Sequence, residues 1–177
     1  MSVSDNILLT FAALPPFSKI TPEQIKPAVE HAIAQARGAV EQAVASESVS
    51  WHSLIEQVEQ QSERLSKLWS PVSHMNSVVN SPELREAYES CLPLLSDFST
   101  WLGQHEGLYQ KYLQLAQSAE YQTLSTAQQK VIQNALRDFK LSGIGLSDEK
   151  KQRYGEIQSR LSDLSSSMIL LLPSVNC

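Results

Sequence analysis

The stretch TPEQIKPAVEHAIAQARGAVEQAVA, residues 21–45, decides how this chain folds. Thr21 is a helix-capping residue type. Pro22 suits the first helical position, where its missing N–H would have no partner anyway, and Gln24 stands where its side chain closes a capping box. Ile25, Val29, Ala32, Ile33, Ala36, Val40, Ala43 and Val44 then recur at spacings of three and four, which puts them on one helix face. Pro27, a little over a turn in, is expected to tilt the start of the helix.

The same signals recur downstream. Ser50 is placed to cap a second helix on which Trp51, Leu54, Ile55, Val58, Leu65, Leu68 and Trp69 share a face. The short connection SESVS, residues 46–50, makes it the antiparallel neighbour of the first. Pro71 interrupts or kinks that pattern, and residues 72–80 continue as helix or as an irregular bend. Ser81-Pro82 opens a third long element with Leu84, Ala87, Tyr88, Cys91, Leu92, Leu95, Phe98 and Leu102 inside, which Pro93 should bend by removing a backbone hydrogen bond. A shorter helix starts near His105 and carries Leu108, Tyr109, Tyr112, Leu113 and Leu115. Ser125 and Gln128 form another capping box ahead of Val131, Ile132, Ala135, Leu136 and Phe139, and Gly143 is placed to end that helix in a left-handed cap. Ser147 caps a last helix in which Tyr154, Ile157, Leu161, Leu164 and Met168 form a heptad-like seam. Upstream, Leu14-Pro15-Pro16-Phe17 reads as an extended arm whose apolar side chains staple it to the bundle. The prediction is all-α: an extended arm over 1–20, one domain of about six helices packed as antiparallel hairpins over 21–168, and an apolar tail over 169–177.

With 177 residues the chain can bury a real core, and 42% apolar against 19% charged residues excludes a disordered or membrane-embedded class. No segment approaches the roughly 20 apolar residues a bilayer span needs. A net charge of −5 with scattered Lys and Arg gives no electrostatic case for nucleic acid or an anionic membrane. Cys91 and Cys177 cannot make a disulfide framework and read as free thiols of a reducing compartment. The opening MSVSDNILLTFAALPPF has no basic region followed by a long apolar stretch, so no secretory signal is read there and a cytoplasmic location is expected.

Motifs that could carry chemistry are few. HEGLY, His105 to Tyr109, approaches the zinc-peptidase pattern His-Glu-x-x-His, but Tyr109 stands where the second histidine belongs and Gly107 weakens the helix. One imidazole is too few where catalytic zinc takes about three protein ligands, and His31, His52 and His74 lie in other elements. Gly143-Ile144-Gly145 follows a helix rather than a strand and lacks a P-loop lysine, so it reads as a turn. Cys91 sits on an apolar stripe without a neighbouring base and reads as a structural thiol. DEKKQR, residues 148–153, is a solvated first turn, and Trp51, Trp69 and Trp101 read as core anchors. No catalytic, metal-ligating or binding residue is assigned to any position.

Three long stretches nevertheless resemble one family together: LPPFSKITPEQIKPAVEHAI (14–33), SPVSHMNSVVNSPELREAYESCLPLLSDFSTWLGQHEGLYQKY (70–112) and TAQQKVIQNALRDFKLSGIGLSDEKKQRYGEIQSRLSDL (126–164). The family is that of thimet-oligopeptidase-like zinc metallopeptidases, and the resemblance runs in order from about residue 8 to 165. It implies the helical N-terminal region of a much longer enzyme, forming part of the wall of a deep channel that admits short peptides. The zinc cofactor, its ligands and the glutamate base are implied to belong to a His-Glu-x-x-His helix further along such a chain, and no catalytic residue transfers to a position here.

After Leu164 the resemblance lapses. SSSMILLLPSVNC replaces the continuation, with Pro173 ending the helix and residues 169–172 forming an aliphatic patch; a truncated or frameshifted gene is the expected source. The chain by itself is therefore expected to bind no zinc and to cleave no peptide. The alternative is a non-enzymatic helical binding module that self-associates or docks on a separate catalytic half.

Overall fold

The spine of the molecule is α2 (Pro22–Ala45), against which most of the other helices pack. A computed structural model describes residues 5–171, and among these there are seven α-helices and no strand. Around α2 stand α1 (Ile7–Thr10), α3 (Gln57–Val78), α4 (Pro82–Gly103), α5 (Glu106–Ala116), α6 (Thr126–Leu141) and α7 (Asp148–Leu171). Six of them were expected from the sequence; the seventh, α1, lies in what reads as the extended arm.

The box at Thr21 forms as its residue types demand: the Gln24 side chain accepts the Thr21 backbone N–H at 3.0 Å. The arm is held differently from the expectation. Leu14 is 88% exposed and Phe17 43% exposed, while Leu8 and Ile20 are the residues buried in the core. Buried Asn6 caps α1 by accepting the Leu8 N–H at 3.0 Å and donates to the Gln24 carbonyl at 2.8 Å, so the arm is fixed by a satisfied polar link as well as by apolar contact.

Along α2 the apolar stripe serves two cores in succession. Ile25, Ala28, Val29, Ala32 and Ala36 pack with Leu65, Leu68 and Val72 of α3 and with Leu84, Cys91 and Phe98 of α4. One end of the spine, Val40 and Ala43, joins Leu54, Ile55 and Val58 with Leu108, Tyr112 and Leu115 of α5 and Ile132 and Phe139 of α6. Trp101 and Leu102 border both. The second hairpin arm begins at Ser50 as read, but its first segment, Trp51–Glu56, is π-helical; the Trp51 N–H donates to Glu120 at 3.0 Å and its indole N–H to Glu56 at 2.9 Å.

Neither proline stops its helix. α3 runs through Pro71 and α4 through Pro93. An interior proline costs about 3 kcal/mol, but Pro71 is itself buried beside Leu68 and Val72, each of whose burial is worth about 1.5–3 kcal/mol, so packing on α2 outweighs the lost bond. The real break comes at Asn80, which takes φ 50° and accepts Arg85 Nε–H at 3.0 Å.

α6 starts with the Ser125–Gln128 box and ends as the sequence demands, with Gly143 at φ 84°. Val131, counted in its apolar stripe, is 39% exposed. α7 packs chiefly on α4, approaching Thr100 at Gly155. Its seam is not buried: Ile157, Leu161 and Leu164 are 44%, 51% and 49% exposed. The aliphatic patch at residues 169–172 lies outside the described side chains.

Candidate functional site

His105, the one histidine with a zinc-motif neighbourhood, is a helix cap. It precedes α5, and its Nδ1 accepts the Leu108 backbone N–H at 3.1 Å. An accepting Nδ1 places the proton of the neutral ring on Nε2, which lies 3.3 Å from Glu41 Oε1. The ring also stands edge-on to Trp101 at 4.9 Å. Both ring nitrogens are thus committed to structure. Tyr109 packs edge-on against Phe139 at 5.6 Å, and Gly107 sits so close to α2 that a Cβ there would meet Val44 Cγ1 at 2.7 Å. Among the described residues no group of three or more His, Cys, Asp and Glu side chains is arranged to hold a metal ion. The donor set of the described residues therefore does not fit the three-ligand zinc site that the family resemblance implies for the full enzyme.

The remaining candidates resolve the same way. Cys91 is fully buried, and burial pushes its thiol above the usual range, the opposite of what an activated nucleophile needs. Trp69 stacks on Tyr88 at 4.8 Å, and Trp101 lies under the Arg37 guanidinium at 4.4 Å, so both aromatics have protein partners. The Gly143–Gly145 turn closes α6.

Several concavities of about 280–470 Å³ open between the helices, and two of them share lining residues. An open groove of about 400 Å³ runs between α4 and α7, with Trp69, Leu92, Leu95 and Leu161 on its walls. A smaller, equally open hollow of about 280 Å³ lies where α3, α4, α5 and α6 meet, and Ser99 and Ser142 line both. Tyr112 reaches into the smaller one; its phenol is pushed well above the usual range, first by burial and then by the nearby Glu59 carboxylate. The sequence reading placed Tyr112 on an apolar stripe and singled out neither Glu59 nor Asp138. Their juxtaposition joins positions about 80 apart on separate helices, and no local motif signals it.

These features define a class: a helical domain with grooves, packed aromatic anchors and, among the described residues, no ligand set for the metal its resemblance implies. Residues 28–151 match the family model described as the N-terminal domain of neurolysin and thimet oligopeptidase. The chain belongs to the neurolysin/thimet oligopeptidase family and carries its N-terminal domain. It is 57% identical over 166 residues to oligopeptidase A of Haemophilus influenzae, covering 94% of this chain and 24% of that protein. It is 56% identical over 162 residues to oligopeptidase A of Escherichia coli, covering 91% and 24%. A probable cytosolic oligopeptidase A of Arabidopsis thaliana is 30% identical over 164 residues, covering 93% and 23%. The chain thus spans about a quarter of the length of the curated relatives it matches. No helix among the described residues is long and apolar enough to cross a membrane.

Proposed function

We propose that this chain is the non-catalytic front domain of an oligopeptidase A-type metallopeptidase, contributing helices to the wall past which short peptides reach a zinc centre built elsewhere. The observation that carries this reading is the 57% identity over 94% of the chain, aligned with 24% of a relative named as an oligopeptidase. The commitment of His105 to a helix cap and to Glu41 supports it from the side of chemistry. The same reading puts its work in the cytoplasm, in keeping with the free, buried Cys91. The purified chain is expected to bind no stoichiometric zinc and to leave a fluorogenic peptide uncut. Peptide cleavage that co-purifies with the chain and is abolished by a chelator would overturn the proposal.

A second role is favoured by a specific observation, the half-exposed row of Ile157, Leu161 and Leu164 on α7. In this role the chain docks through α7 on a separately made catalytic half or on a second copy. Strictly monomeric sedimentation, with no shift on adding the catalytic remainder of an oligopeptidase A, would count against it.

A further inference from the structure

Only Gln104 and His105 separate α4 from α5, and they lie beside Trp101 and Leu102, which border both cores. α5 has 11 residues, fewer than the roughly 12–15 an isolated helix needs in water, so its start depends on its cap. Gly107 in the first turn adds no helical preference of its own. Leu108 is the third residue of α5, and its N–H is one of those a helix start leaves without an intrahelical carbonyl. His105 Nδ1 supplies the missing acceptor at 3.1 Å.

A ring nitrogen accepts a hydrogen bond only while it carries no proton. In the neutral ring Nδ1 accepts from Leu108 and Nε2–H donates to Glu41 at 3.3 Å, so both bonds stand together. In the imidazolium both nitrogens are donors. Nδ1–H would then face the Leu108 N–H across 3.1 Å, and a positive charge would lie at the positive end of α5. The bond to Glu41, by contrast, becomes charge-assisted. Glu41 of α2 attracts the imidazolium, and Arg37 of α2 repels it across the Trp101 indole. Glu106 is its charged neighbour on α5, and α4 faces the ring with the uncharged indole. The His105 side chain is 13% exposed and that of Glu41 62%, so an imidazolium that follows Glu41 gains water and one that stays over Leu108 does not.

We propose that His105 is a proton-operated latch between α2 and the start of α5. The neutral ring ties the Leu108 N–H to Glu41. The imidazolium keeps Glu41, releases that N–H and loosens the first turn of α5, residues 106–108. Leu108 is 1% exposed within the second core, so the loosening begins at a core residue rather than at a free surface. The capped state holds one proton fewer at this ring than the released state. The cap's contribution to stability is therefore present on the alkaline side of the ring's titration and is lost as pH falls through it.

The test is nuclear magnetic resonance of the full, nitrogen-labelled chain across about pH 5–8, the window in which histidine ordinarily changes charge. The neutral His105 ring should carry its proton on Nε2 and show a nitrogen–nitrogen scalar coupling across the Leu108 N–H···Nδ1 bond, which vanishes as the ring protonates. Exchange protection of the Leu108 amide should fall about fivefold further on acidification in the parent than in His105→Asn, whose side-chain oxygen accepts at any pH and which retains His31, His52 and His74. Glu41→Gln keeps an acceptor for Nε2–H but removes the charge, so it should lower the pH of release by about 0.2–0.7. A neutral ring with its proton on Nδ1, a coupling that survives protonation, or an equal loss of protection in parent and His105→Asn overturns the latch. A release pH that Glu41→Gln leaves unchanged overturns the retention of Glu41.

Discussion

Replacing Gly103 by alanine tests how tightly the end of α4 is locked against the end of α6. A Cβ at this position would lie 2.6 Å from Ser142 Oγ and 2.7 Å from Ser142 Cβ. A hydroxyl can rotate away, but the Cβ is fixed to the backbone, so one helix end must shift. Forcing a methyl into a filled contact costs about 1–3 kcal/mol. Against that stands alanine's better helix propensity, about 1 kcal/mol at most and less at the last residue of a helix. The steric term wins, leaving a net destabilisation of about 1–2 kcal/mol, or a fall in Tm of roughly 2–8 °C for a chain of this size. Ser142→Gly removes both obstructing atoms. Alone it costs about 0.5–1 kcal/mol in backbone entropy, but combined with Gly103→Ala it should recover at least about 1 kcal/mol of coupling. Urea unfolding followed by far-ultraviolet circular dichroism on the parent, both single variants and the double variant measures each quantity. A Gly103→Ala chain as stable as the parent, or a double variant that is merely additive, refutes the reasoning.

His105→Ala should destabilise the fold by about 1 kcal/mol through loss of the α5 cap, whereas His105→Asn, a preferred capping residue, should keep most of it; urea midpoints decide between them. Zinc content should be the same in all three chains, and a loss confined to the His105 variants would restore the metal reading. Cys91, studied in a Cys177→Ser background, should react with Ellman's reagent at least about a hundredfold more slowly in the folded chain than in denaturant, as reaction must await opening. Its folded pKa is raised, so the native state holds the thiol proton more tightly than the unfolded state. The Cys91 contribution to stability is therefore present below the unfolded value of about 8.5 and is lost as pH rises through the folded value. Cys91→Ala should flatten that decline in urea titrations across alkaline pH.

Much of the fold could be read locally because helix starts are written in neighbouring residues. Thr21 with Gln24 and Ser125 with Gln128 announce their helices within four positions, and Gly143 announces an end. The errors fall where distant packing overrides a local rule. At Pro71 the sequence leaves open a continued helix or a bend, and the packing of Leu68 and Val72 against α2 carries the helix seven residues further, to Val78. Leu14 and Phe17 look like the anchors of the arm, yet Leu8 and Ile20 reach the core because Asn6 is tied to α2. Periodicity in α7 predicts a seam without saying whether anything covers it. At the candidate site, the HEGLY motif could be dismissed by counting ligands, but the capping role of His105 needed the turn before α5, and the grouping of Tyr112 with Glu59 and Asp138 needed three helices in place.

The two cores strung along α2 also differ in when they can be built. Every buried residue of the first lies between Leu8 and Phe98, whereas the second is not complete until Ile144. At synthesis rates of about 5–20 residues per second, the later residues follow the earlier by roughly 2–9 seconds, while helices form in microseconds. The growing polypeptide thus carries a finished front end and, at Val40 and Ala43, a half-built apolar seat that stays open on the ribosome until α5 and α6 emerge.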